Sequence, residues 1–482
     1  MTVHRWRAFS LLAVSYFMTI VDLTIVNVAL PTIGRKLHFT ESNLQWVVTA
    51  YGIAFGGFLL LGGRAADLLG RRRVLMTGLG VFTGASLAAA LARTEQLLIA
   101  MRGLQGVGAA IILPAALSIV MNMFEEGAER NKALGLWGGI GASGATVGLI
   151  SGGLLTRFAG WEYIFYLNVP IGLAMMALVP RIVPDSRLQT ARRKYDAFGA
   201  TTVTAGLLLL VYAISNAPQV GWGSARTVSL LAIGAALLAA FVVIETRVEA
   251  PLLPLRIFAL KTVAGANAVS FLLGASFFAY IFVGTLYMQQ VLNYSALQTG
   301  VTWLTTSLTS IAFAGLSQAL VTRGSAKVIM AFGMTLIGAG ILWTTAVPVH
   351  GHYWGDLAGP FFITGIGTAF AFIPVSIAAL AGVAERDAGL ASGLLNTSQN
   401  IGGAIGVAVA STILASRTTT LVHHGSAPVA ALNGGLHSAM LALGVIGLFA
   451  VPVAFALVRQ RDIAATTVAD DVSAELELAT AG

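Results

Sequence analysis

Of the twenty acidic residues in the chain, Asp22 alone sits well inside an apolar stretch with apolar neighbours on both sides. It lies about fourteen residues into that stretch, or ~21 Å along a helix rising 1.5 Å per residue, near the centre of a bilayer. A carboxylate at that depth costs ~2.5–3.5 kcal/mol on insertion scales, which makes it a functional candidate. Removal from water favours the neutral acid, so Asp22 could take up and release a proton. The alternative is a structural acid satisfied by hydroxyls such as those of Thr19 or Thr24. Arg102 is the only base inside an apolar stretch, and Gln105 follows it one turn later. An arginine does not deprotonate, so its work is to pair with a carboxylate or to orient one. If it approaches Asp22 it opposes the effect of desolvation, and proton affinity then depends on conformation. A side chain snorkelling to the outer interface is the competing reading.

Amides form a second group. Asn396, Gln399 and Asn400 stand at i, i+3 and i+4, on one helix face with Gly403. Buried amides need partners, so that face should look at a bundle interior or a wet cavity. Asn27, Tyr51 and Gln105 join these three as the expected lining of a substrate cavity, with Asp22 facing it as the proton carrier. Glycines cluster in one stretch, including Gly144, Gly148, Gly152 and Gly153. Small residues four apart let helices approach closely in lipid, so packing accounts for any one of them better than ligand contact does. The chain has no cysteine, and His423 and His424 have no carboxylate near them in sequence, so no metal and no cofactor are expected.

The elements that must position these residues follow from composition. The 482 residues are 57% hydrophobic and 10% charged, against roughly 25% charged in soluble domains. A mean hydropathy of +0.83 excludes a soluble globular protein, and the +8 net charge then does not signal nucleic-acid binding. The chain reads as an all-α integral membrane protein embedded in the lipid bilayer. Apolar segments run near 8–33, 45–63, 74–92, 97–122, 133–157, 162–180, 197–217, 227–246, 263–288, 298–320, 327–347, 355–382, 388–415 and 436–458, which gives fourteen expected spans. They are too long for barrel strands, and each is long enough for a membrane helix. With the N-terminus inside, 21 of the 28 Lys and Arg residues fall in inner segments, 6 in outer ones and Arg102 in a span. Both termini are therefore expected in the cytoplasm.

Charged and Pro-rich stretches suggest a 6 + 2 + 6 organisation: residues 1–180, a linker with two additional helices over 181–261, a second six-helix half over 262–458, and a polar tail over 459–482. The outer sixes resemble each other faintly. Gly70-Arg-Arg-Arg-Val-Leu-Met76 matches Gly324-Ser-Ala-Lys-Val-Ile-Met330, and Ala133-Leu-Gly-Leu136 matches Ala391-Ser-Gly-Leu394. Repeated six-helix halves around a midplane site are an architecture of secondary transporters.

Several runs resemble the major facilitator superfamily, specifically its 14-span drug:proton antiporter family of multidrug efflux pumps. They are Asp22-Leu-Thr-Ile-Val-Asn-Val-Ala-Leu-Pro31, Gly63-Arg-Ala-Ala-Asp67-Leu-Leu-Gly70-Arg71-Arg72, Arg102-Gly-Leu-Gln105-Gly106-Val-Gly108, and Gly144 to Gly153 with Leu149 where a proline is usual. Trp161–Gly172 and Pro251–Phe258 add to the likeness. The resemblance implies two pseudo-symmetric six-helix halves and proton coupling through Asp22 and Arg102. It also implies a cytoplasmic charge lock of Asp67 with Arg71 and Arg72, set by Gly63 and Gly70, with the start of span thirteen near Ala388 as a dipole partner. Gly144, Gly148, Gly152 and Gly153 would serve gating. A carboxylate at a helix N-terminus gains ~0.3–1 kcal/mol, enough to bias a conformational change without freezing it.

The expected protein is a plasma-membrane antiporter, monomeric, exporting amphipathic neutral or monocationic small molecules against protons. An exporter dedicated to one host-made metabolite or antibiotic is the nearest rival. A membrane enzyme is disfavoured because no paired carboxylates, HExxH helix or nucleophile elbow is present. A passive channel would not need an intramembrane acid and base.

Overall fold

The computed structural model describes residues 2–124, 128–183, 196–248, 255–323, 325–381 and 385–459, with Pro251 and Val383; these form helices and connecting turns, with no strand among them. In lipid every backbone polar group must be satisfied within the segment, which leaves the helix as the element available to stretches this apolar. The major helices are α1 (Thr2–Lys36), α2 (Trp46–Leu69), α3 (Arg71–Ala90), α4 (Glu95–Met123), α5 (Ala128–Phe158), α6 (Asn168–Ile182), α7 (Ala197–Val220) and α8 (Ala225–Arg247). After them come α9 (Lys261–Val291), α10 (Ala296–Arg323), α11 (Ala326–Trp343), α12 (Ala358–Leu380), α13 (Glu385–His423) and α14 (Pro428–Leu457). Among the described residues, eleven helices are long and apolar enough to cross a membrane. The three other expected spans coincide with α2, α5 and α7, which carry shorter apolar stretches at Trp46–Leu59, Val147–Phe158 and Phe198–Ile214.

Local signals set the boundaries. A single residue, Gly70, separates α2 from α3 at φ 98°, a conformation that side chains with a Cβ rarely adopt. The Thr94 hydroxyl accepts from the Leu97 N–H and starts α4. α5 runs unbroken through Leu149, which keeps the backbone N–H a proline would lack. α9 contains wider π turns at Gly274–Phe278 and Tyr287–Val291.

The same neighbour order occurs twice. In the first set α4 packs on α2 and α3, α5 on α1, and α6 on α3. In the second, α12 packs on α10 and α11, α13 on α9, and α14 on α11. Two seams join the sets, α5 with α10 and α2 with α13. α7 lies in the second seam, where the Thr204 hydroxyl donates to the Gly57 carbonyl of α2 at 2.7 Å and Val211 packs with Ile53 and Ala404. α8 packs on α7.

The two ends of the bundle differ. Residues of α1 to α6 at the end bearing Arg71–Arg73, among them Leu12, Leu75 and Ile119, form a core of their own. At the opposite end Ile25, Val28, Leu149 and Phe165 share one core with Phe282, Trp303 and Met440 of the second set. There, a Cβ on Gly153 would stand 2.8 Å from the Ala296 carbonyl, and the Gln289 amide reaches the Val28 carbonyl at 2.7 Å. The sets thus share a core at that end, while toward the other end Leu61 of α2 packs with Ala391 and Leu394 of α13 beside α7.

Candidate functional site

Close helix approaches build the site around α4. Gly106 lies against the Tyr51 carbonyl of α2, and a Cβ on Gly108 would stand 2.7 Å from the Phe82 nitrogen of α3. These approaches place Val47, Tyr51 and Ser86 around Arg102 and Gln105. Gly172 of α6 accepts the Thr83 side chain of α3, which carries Asn168, one turn earlier, toward α1.

Asp22 is fully buried and salt-bridged to Arg102, with Arg102 Nη1 2.6 Å from Asp22 Oδ2. The other carboxylate oxygen accepts from the Asn168 amide at 2.7 Å and the Gln105 amide at 3.1 Å. Arg102 also donates to the Gln105 carbonyl oxygen at 2.9 Å and, through Nε, to the Val47 carbonyl at 2.9 Å. Its guanidinium carbon stands 4.4 Å over the Tyr51 ring, whose hydroxyl donates to the Thr19 carbonyl at 3.2 Å. Gln105 reaches the Ser86 hydroxyl at 2.8 Å. Arg102 Nη2 is buried without a hydrogen-bond partner. The network draws on α1, α2, α3, α4 and α6, all in the first set. Two amide donors and one cation point at the Asp22 carboxyl group, a set of partners that suits a negative charge.

In front of this network lies a cleft between the two sets. Leu23, Thr24 and Asn27 of α1 and Val48, Thr49 and Gly52 of α2 form one wall. Phe278 and Ile281 of α9, with Asn400, Gly403, Ala404 and Val407 of α13, form the other. Its free volume, mouth included, is ≈ 490 Å³. No charged residue lines it.

A family model described as Major Facilitator Superfamily matches residues 12–407 and 268–478. The chain belongs to that superfamily. Its relatives include a cephamycin export protein of Amycolatopsis lactamdurans, 37% identical over 461 residues that cover 94% of this chain and 93% of the relative. A puromycin resistance protein of Streptomyces alboniger is 35% identical over 470 residues, covering 96% and 93%. A multidrug resistance protein of Mycobacterium tuberculosis is 33% identical over 416 residues, covering 86% and 77%. Among solved structures, an auto-inhibited POT family peptide transporter superposes with a TM-score of 0.68 at 15% identity, covering 93% of this chain and 96% of that one. This major facilitator protein is therefore a multi-pass membrane transporter, and its relatives are drug and antibiotic exporters and resistance proteins.

The transporter distributes the sequence candidates over three places. Asn27 and Asn400 line the cleft. Asp22, Tyr51 and Gln105, expected to face the cavity, instead turn away from it into the buried network, because a carboxylate with no partner in lipid is costlier than one held by several donors. Thr19 and Thr24 do not satisfy Asp22; their hydroxyls donate to the carbonyls of Tyr16, Ile20 and Val21. Arg102 does not snorkel. Asn396 and Gln399 stand on α13 outside the cleft lining, half-buried.

The glycines of α5 form a packing seam on α1. Gly141 meets Tyr16, Gly144 meets Ile20, Gly148 meets Thr24 and Gly152 meets Ile25. Gly153 meets Ala296 and Leu297 across the first inter-set seam. Of the expected lock, Gly63 faces Pro114, Arg71 is buried, and Arg72 donates to the carbonyls closing α6, Val183 at 3.1 Å and Pro180 at 3.3 Å. The side chains of Asp67 and Ala388, together with Arg187, Arg192 and Arg193 and the tail beyond Arg459, lie outside the described residues.

Asn168 and Ser86 were not singled out in the sequence. Asn168 carries a usable signal, an amide opening an apolar helix inside the Trp161–Gly172 run. Ser86 carries none, since a serine in a span is commonly bonded to its own helix, as this one also is to the Phe82 carbonyl at 2.7 Å.

Proposed function

We propose that this transporter is a proton-coupled antiporter of the plasma membrane. It exports amphipathic neutral or monocationic small molecules by alternating access, with both termini in the cytoplasm and two six-helix halves moving around the cleft. The observation that carries the reading is the fully buried Asp22–Arg102 pair at 2.6 Å, set directly behind the cleft wall. Asp22 adjoins Leu23 and Thr24, and Val47, which accepts from Arg102, adjoins Val48 and Thr49, so one network grips the backbones of both α1 and α2 at the lining. Protonating Asp22 removes its charge from Arg102, and the freed guanidinium must find other partners. That change moves the wall without any contact between Asp22 and cargo. Coupling is thus indirect: the carboxylate acts on the shape of the cleft.

The core shared by both sets at the end opposite Arg71–Arg73 supports closure at that end, with loading from the cytoplasm as the proposed direction. One charge crossing 100 mV supplies ~2.3 kcal/mol before any pH gradient is added, which suffices for exchange. The test is cargo counterflow in proteoliposomes with an imposed pH gradient. Asp22→Asn is expected to insert and bind cargo yet lose gradient-driven transport. Gradient-driven transport by that variant at the unsubstituted rate would reject the mechanism.

A second reading, an exporter dedicated to one host-made compound, is favoured by the names of relatives that each specify a single antibiotic, cephamycin or puromycin. Protection of a pump-deficient host against chemically unrelated drugs separates the two: broad protection supports the multidrug reading, protection against one compound the dedicated one.

A further inference from the structure

The polar residues of the cleft are Thr24 and Asn27 on α1, Thr49 on α2 and Asn400 on α13. Most of their donor capacity is already committed. The Asn27 amide nitrogen donates to the Leu23 carbonyl at 3.2 Å and the Thr24 carbonyl at 3.3 Å. The Asn400 amide nitrogen donates to the Asn396 carbonyl at 2.8 Å. The Thr24 hydroxyl is shared between the Ile20 and Val21 carbonyls, both at 3.2 Å. A carbonyl can be met only by an N–H or O–H, so these bonds fix which end of each amide turns back on its own helix. Left over are two oxygens, Asn27 Oδ1 on one wall and Asn400 Oδ1 on the other, beside the second N–H of Asn400. On the α2 side of the first wall the Thr49 hydroxyl is buried without a partner, and it can accept as well as donate. Arg102, behind the wall, is engaged by Asp22 and the Val47 carbonyl.

We infer that the cleft recognises cargo by accepting hydrogen bonds from it, one at Asn27 and one at Asn400, so that N–H or O–H groups on an uncharged or singly cationic amphiphile bridge the two walls. A molecule of the same shape and charge with those groups alkylated binds worse. The inference rests on the export reading for its meaning but is measured without transport. Because the two acceptors belong to opposite sets, cargo bearing two donors ties the sets together, whereas cargo with none leaves the walls independent.

Rhodamine 123 and tetramethylrhodamine methyl ester are suitable probes: planar monocations on one xanthene core, the first with free N–H groups and the second with its nitrogens methylated. Their binding to the purified full chain is read by fluorescence polarisation with no gradient. Rhodamine 123 is expected to bind about tenfold more tightly, and Asn27→Leu or Asn400→Leu to shrink that ratio several-fold with little change for the methylated dye. If Asn27→Leu does not yield folded protein, Asn400→Leu and Thr49→Val carry the same comparison. Equal binding of the two dyes, or a ratio that survives Asn400→Leu and Thr49→Val, would overturn the inference. Failure of the antiport reading shows separately, as absence of gradient-driven counterflow of either dye.

Discussion

At the scale of residues, the pair at the centre is weak evidence for stability and strong evidence for a constrained site, because a buried ion pair rarely outweighs its own desolvation. Removing one partner is another matter. Arg102→Leu leaves Asp22 buried without its cation and is expected to cost about 3–5 kcal/mol, seen as a lowered melting temperature of the purified protein. Combining it with Asp22→Asn should restore a large part of that loss, and a double variant no more stable than Arg102→Leu alone would show that the two do not interact. Asn168→Leu removes one donor from the carboxylate and should cost about 1–3 kcal/mol in the same assay while cargo binding persists. Asp22 and Arg102 were legible in the sequence because charge inside an apolar stretch is expensive and so conspicuous. The direction in which Asp22 points was not legible. A helix face is assigned by neighbours, and the donors that turn the carboxylate away from the cleft come from two other helices, α4 and α6.

At the scale of elements, the glycine stripe of α5 shows why small residues count where lipid offers no hydrophobic drive between helices. Gly152 sits against the Ile25 carbonyl, and a Cβ on Gly148 would stand 2.8 Å from the Val21 carbonyl, so backbone rather than a flexible side chain would have to yield. Gly148→Val or Gly152→Val should therefore destabilise by about 1–3 kcal/mol or more and displace the helix that carries Asp22. Gly103 on α4 provides the control: no atom lies within 4 Å of its would-be Cβ, so Gly103→Ala should be neutral or stabilising by up to about 1 kcal/mol. Thermal denaturation of the three variants tests the contrast. The sequence suggested a packing role for these glycines from their spacing, but not the partner helix, since spacing carries no information about what lies opposite.

At the scale of the molecule, composition and apolar run lengths were enough to identify a helical membrane protein, because lipid leaves few alternatives. The cleft was out of reach: it is made by faces of α1, α2, α9 and α13 that meet only after both sets have folded. The α5–α10 seam is a close two-helix contact: a Cβ on Gly300 would stand 2.6 Å from the Leu149 carbonyl and 3.7 Å from the Ile150 Cα. Gly300→Ala should therefore destabilise by about 1–3 kcal/mol, read as a lowered melting temperature of the purified protein; an unchanged melting temperature would show that this seam yields freely. The other seam behaves differently, because α7 packs along both α2 and α13 where they meet and bonds to the Gly57 carbonyl. A solute dissolved among the acyl chains therefore meets a helix-filled flank on that side and a two-helix joint on the other. The transporter is therefore lopsided in the plane of the membrane even where its two sets are built alike.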